Sequence, residues 1–240
     1  MRRLLLALWM PLLFLSCDEV VKERGNGKIE SEKRVLEGFD EINLAGNYEV
    51  GLKYGGQEQV VIVTDENLLP YIESSVENGV LVIEDRDRIK SDDGIKIFIT
   101  YKEISRIRSA GASIVKSEDV ITGDVFSLTV PGAGLVDLKL DVQDLEVDLA
   151  GAGLVKLSGK TNRQQISLKG VGSLEAFDLE SNDCEVSVSG VGGAEVNVKE
   201  NLNAVVRGIG GIKYKGDPKS VQDEISGIGT IKSAEDREDT

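Results

Sequence analysis

The chain has no histidine, so its two cysteines, Cys17 and Cys184, are the most reactive side chains it can offer. Imidazole acid–base chemistry and imidazole metal ligation are therefore excluded. Carboxylates are abundant, and their densest cluster is Glu84–Asp93, EDRDRIKSDD. Asp85, Asp87, Asp92 and Asp93 there have the oxygen chemistry of calcium ligands, but Arg86, Arg88 and Lys90 stand between them. No glycine marks the sharp turn a calcium loop needs, so a solvated charged loop is the better reading. Glu175 and Glu195 recur at one repeat position and could form a carboxylate pair. Acid–base catalysis would need them to converge in a cleft, and tolerated neighbours on a solvated face explain them as well. Repeated Gly-x-Gly pairs suggest a phosphate cradle, yet no helical pattern follows any of them and the third glycine of the dinucleotide fingerprint is missing.

Cys17 ends the segment MRRLLLALWMPLLFLSC, in which two arginines precede an apolar run from Leu4 to Leu15 and a small residue directly precedes the cysteine. That is the layout of a secretory signal. Those 12 apolar residues are too few for a bilayer of about 30 Å, which makes a retained membrane helix the weaker alternative. Phe14-Leu15-Ser16-Cys17 resembles a lipobox, with Phe14 where leucine is usual. The resemblance implies a signal peptide over 1–16 and lipidation of Cys17; a signal cut elsewhere, with Cys17 an ordinary residue, is the alternative. A lipid-anchored, exported protein of the cell envelope follows, with the outer membrane as the expected location. Residues 17–27 are polar, end in Gly-Asn-Gly and read as a tether.

What must position any other site is a repeat. Gly-apolar-Gly occurs at Gly132 and Gly134, Gly151 and Gly153, Gly170 and Gly172, Gly190 and Gly192, Gly208 and Gly210, and Gly227 and Gly229, with a degenerate copy at Gly111. Successive first glycines lie 21, 19, 19, 20, 18 and 19 residues apart. Aligned on the first glycine, the copies form columns. The position after it is Ala112, Ala133, Ala152, Val171, Val191, Ile209, Ile228; four after it come Val115, Val136, Val155, Leu174, Ala194, Ile212, Ile231. Apolar and polar positions alternate on both sides of the glycines, the period of half-buried strands. Pairs of strands such as 135–140 and 145–149 are expected in each unit, with no segment long enough for a crossover helix.

Parallel strands joined without helices must wind as a coil, so the expected fold is all-β: a single-chain parallel β-solenoid of about seven turns over 109–232, burying the apolar columns as one core. A sandwich of antiparallel hairpins would not need this in-register identity. The glycines then serve as corners requiring close backbone approach or positive φ. Five residues after each first glycine, Lys116, Asp137, Lys156, Glu175, Glu195, Lys213 and Lys232 would make a solvated charge ladder. Cys184 shares a mostly apolar column with Phe126, Leu145, Gln164, Leu202 and Val221 and reads as a buried, unreactive thiol.

Residues 28–108 lack the glycine unit but show strand patterns at 41–44, 48–54, 59–64, 80–84 and 95–101, with a helical turn near 68–76. They are expected to form irregular β-rich coils that cap the stack. The acidic tail 233–240 either guards the open last coil against end-to-end stacking or has no role.

With the lipobox-like Cys17, the entry FDEINLAGNYEVGLKYG at Phe39–Gly55, the stretch ENLLPYIESSVENGVLVIE at Glu66–Glu84 and the LAGAGLVKL-type units, the chain resembles exported bacterial lipoproteins of the auto-transporter adhesin, head GIN domain family. The resemblance implies a β-solenoid and transfers no catalytic residue. Net charge −14 disfavours nucleic acid, and no cofactor or metal is implied. Two classes of function remain: an adhesin-like or structural scaffold, membrane-attached through its lipid and binding a protein or glycan, and a carbohydrate-active enzyme or glycan-binding protein on a β-helix. Short loops and few aromatics, with only Phe126, Phe177 and Tyr214 beyond Gly111, favour the scaffold.

Overall fold

A computed structural model describes residues 21–234. Residues 1–20, with Cys17 and the expected signal segment, and residues 235–240 lie outside the described residues. The chain is a parallel β-solenoid of about seven coils at roughly 19-residue spacing, capped at its N-terminal end by a β-rich head. Five long strands, Ala112–Val130, Ala133–Leu149, Ala152–Leu168, Val171–Val188 and Val191–Val206, each make one coil. Each pairs in parallel with the next, and like residues face like: Val136 meets Val155, and Leu149 meets Leu168. The two strands expected in each unit are therefore one continuous strand; 135–140 and 145–149 both lie within Ala133–Leu149. Shorter strands, Ile209–Lys215, Ser220–Ile225 and Ile228–Ser233, finish the stack.

The strands alternate because every second side chain points to the core. Val115, Val136, Val155, Leu174, Ala194 and Ile212 are buried, as are Leu128, Val147, Ile166, Val186 and Ala204 on the opposite side of the corner. Both sets stand an even number of residues from the first glycine, so the two glycines share their phase. Inward-facing positions at a tight corner have no room for a side chain. A Cβ built on Gly151 would fall within 3.0 Å of Gly132 O, and one on Gly210 within 3.0 Å of Gly192 O, at φ +154.

The same parity corrects one sequence reading. The residue after each first glycine is expected from its type to join the buried columns, but it has the opposite phase and faces solvent: Val171 is 60% exposed, Ile209 54% and Ile228 73%. A second correction concerns 68–76, where a helical turn is expected. Only Leu69–Tyr71 forms a 3-10 turn, started by Pro70, and Ile72–Glu77 is a strand.

In the head, Glu41–Ala45 continues one face of the solenoid and Glu49–Tyr54 the other, both parallel to their coil neighbours. Hairpin geometry then replaces the coil. Ile72–Glu77 runs antiparallel to Val80–Asp85, and Gln59–Asp65 antiparallel to both Lys96–Tyr101 and Ile29–Arg34. The two outermost strands meet where Arg34 donates to Ile72 O at 2.7 Å and to Ser74 Oγ at 2.9 Å. One core of buried side chains extends from Phe39 in the head to Ile212.

Candidate functional site

A concavity of about 860 Å³ lies where the head meets the first glycine corners, Gly46 and Gly111. Its far wall is the charged segment Asp85–Lys90, and Val21 and Lys22 border it. Tyr48 lies next to this groove, between the lining residues Asn47 and Asp85. It occupies the position two after Gly46 that glycine holds in later coils, and its ring packs against Gly46 in the space a Cβ there would need, so any larger residue at Gly46 would have to displace the ring. The buried ring sends its hydroxyl to Asp85 Oδ1 at 2.6 Å. Burial and the adjacent Asp85 charge push the phenol well above its ordinary range. Burial likewise raises the Asp85 carboxyl, partly offset by the hydrogen bond from Tyr48.

Several charged groups of the groove are held in pairs, and Lys90 is exposed at its edge. Lys22 Nζ lies 2.6 Å from Asp87 Oδ2, and Arg86 Nε donates to Glu73 Oε1 at 2.5 Å. Asn47 Oδ1 accepts the Ala112 N–H at 3.1 Å, tying the groove floor to the first full coil. Behind this loop Asp65, buried on the last residue of its strand, accepts the Gly27 N–H and the Ser91 hydroxyl, each at 2.6 Å. Those bonds fasten both the N-terminal segment and the charged loop to the head. They also hold the Asp65 carboxyl below its ordinary range, the Ser91 hydroxyl being the largest cause.

The residues singled out from sequence are distributed as follows. Asp85 and Asp87 are engaged with Tyr48 and Lys22, while Asp92 and Asp93 are exposed. Among the described residues no group of three or more histidine, cysteine or acidic side chains could hold a metal ion. Glu175 and Glu195 are register neighbours on an outward face, and Glu195 lies 3.9 Å from Lys213. Cys184 is buried beside its register partner Gln164, and burial pushes its thiol far up. The glycine row stacks carbonyl under α-carbon from Gly46 through Gly111, Gly132, Gly151, Gly170, Gly190 and Gly208 to Gly227. Sequence reasoning missed the pairing of Tyr48 with Asp85. The usable signal was Gly46-Asn47-Tyr48, where an aromatic interrupts the Gly-x-Gly cadence.

A second surface is the outward face of the strands that follow the corners. Its first column is the exposed apolar row ending in Val171, Val191, Ile209 and Ile228; the third is the charged row from Lys116 to Lys232. Between them runs Ile114, Leu135, Leu154, Ser173, Gly193, Gly211, Thr230, in register throughout. Where this middle column shrinks to glycine it leaves a shallow groove of about 260 Å³.

With that geometry in hand, the chain belongs to the family described as "Putative auto-transporter adhesin, head GIN domain", matched over residues 38–218. It is similar to a solved structure from Bacteroides fragilis NCTC 9343 called a putative adhesin, at 30% identity and TM-score 0.80, covering 88% of this chain and 99% of that one. A protein from Parabacteroides distasonis ATCC 8503 called a putative lipid binding protein shares the fold at 22% identity and TM-score 0.66, over 88% of this chain and 99% of that one. No curated protein matches the sequence.

Proposed function

We propose that the chain is an exported, lipid-anchored protein of the bacterial cell envelope, held at the outer membrane by Cys17, and that it acts as an adhesin-like binding scaffold without catalysis. The adhesin names of its family and of its Bacteroides relative support the class. The observation that carries the binding reading is the state of the head groove. Lys22 with Asp87, Arg86 with Glu73 and Tyr48 with Asp85 are fixed as pairs. Together they offer paired donors and acceptors to a polar partner, a protein segment or a glycan.

Anchoring sets the orientation. From Cys17 to Lys22 there are five residue steps, at most about 17 Å of extended chain, so the head would sit near the membrane and the last coil would be free to point away. Replacing Cys17 by serine in the full chain and fractionating cells tests this: the variant should leave the membrane fraction. Continued full retention in the membrane would contradict the anchor.

A further inference from the structure

We propose that the glycine-flanked outward face of the solenoid is a self-complementary surface on which a second copy of this chain docks, face to face, about a two-fold axis running along the strands through the coil of Val171. Such an axis reverses the order of coils while setting each column on its own counterpart. The three columns can then be tested one by one.

In the first column side-chain size grows along the stack, alanine in the first three coils, valine in the next two and isoleucine in the last two. Reversal places Val171 on itself, Ala152 on Val191 of the second copy, Ala133 on Ile209 and Ala112 on Ile228. Every pair but the central one thus sets one small residue against one large one. The middle column changes in the opposite sense. Leu154 would lie over Gly193 and Leu135 over Gly211, so the two leucines fill the shallow groove that those glycines leave. Ile114 would meet Thr230, and Ser173 itself.

In the third column Lys156 meets Glu195 and Asp137 meets Lys213, each twice by symmetry. Glu175 opposes itself on the axis and Lys116 opposes Lys232 at the two ends. The attractive pairs therefore occupy the intermediate positions, and the repulsive end pairs lie at the rim, where water screens them. The other two-fold in the plane of the face, along the stack, would keep each coil on its own equal but reverse the columns, laying apolar Ile209 and Ile228 against charged Lys213 and Lys232. The opposed size gradients of two adjacent columns are the observation that selects the reversed arrangement.

The face is six coil spacings long, about 29 Å at 4.8 Å each, and about 17 Å wide over five residues. It would bury on the order of 1,000 Å² in total, the size of a weak or transient interface. Confinement to a membrane by an anchor would raise the local concentration and favour such a dimer. The proposal does not depend on the head groove.

The test is cross-linking in the full chain with a short bismaleimide. Wild type serves as the control, because it carries the same Cys17 and the buried Cys184. Val171→Cys should give a species of twice the chain mass. Ala112→Cys and Ile228→Cys should each give little alone and a joined species when co-expressed with distinguishable tags. Val191→Glu, added at an exposed position, should cut the Val171→Cys product at least fivefold with an unchanged melting temperature. A monomeric Val171→Cys would overturn the proposal, as would cross-linking of Ala112→Cys alone to the same extent. Protection of the thiol introduced by Val171→Cys from a small maleimide, without a homodimer, would mean that a different protein covers the face, and would overturn it too.

Discussion

Tyr48 and Asp85 join the two faces of the solenoid at its head, the Tyr48 hydroxyl donating to Asp85 Oδ1 at 2.6 Å from beside a strand of one face to the end of a strand of the other. Tyr48→Phe keeps the ring and removes the donor, leaving a partly buried carboxylate short of a partner. A loss of about 1–2 kcal/mol is expected at pH 7. Burial raises the Asp85 carboxyl, so its contribution to stability is full below the ordinary carboxylate pKa and falls as pH rises through the raised value. Without the hydroxyl that fall should steepen. Urea denaturation of both proteins at pH 4 and pH 7 checks this; an equal deficit at the two pH values would count against the pairing.

Asp65 has the opposite sign. The Ser91 hydroxyl and the Gly27 amide hold its carboxyl below the ordinary range, so the stability it supplies is present above about pH 4 and is lost as pH falls. Asp65→Asn should cost about 2 kcal/mol at pH 7 and progressively less in acid. The same substitution should loosen the segments around Gly27 and Ser91, read as faster amide exchange there.

The corner glycines give a contrast that composition alone cannot. Gly151→Ala forces a Cβ into the Gly132 carbonyl and should be destabilising by several kcal/mol or prevent folding. Gly123→Ala meets nothing within 4 Å and should be neutral or slightly stabilising. Thermal melts of the pair separate close approach from a general intolerance of alanine.

Strand phase gives a second contrast. Val155 is fully buried and Lys156 exposed, so Val155→Asp should cost several kcal/mol while Lys156→Asp stays within about 1 kcal/mol. Equal melting-temperature losses would refute the assigned phase.

The coil was legible because it is written many times over: Val136, Val155 and Leu174 hold one register position, and the spacing of their glycines reports the length of a turn. What was not legible was the side taken by residues at the corner. Val171 and Ile209 look like core by type, and their outward phase follows from the parity of the buried columns and from the backbone crowding that turns both glycines inward. The head was legible as strands but not as a site. Tyr48 and Asp85 are 37 residues apart, and their contact depends on parallel and antiparallel pairings that no local pattern encodes.

The claim that the head groove binds a partner and does not turn over a substrate is tested most directly by exchanging one of its charge pairs. Arg86→Glu combined with Glu73→Arg keeps an ion pair between the same two positions but inverts the charge presented to the groove. Labelled protein should bind a subset of envelope or host proteins and glycans on an array, and the exchanged variant should keep its melting temperature and lose at least tenfold in that binding. Equal binding by both proteins, or cleavage of any polysaccharide by the unmodified chain, would contradict the account.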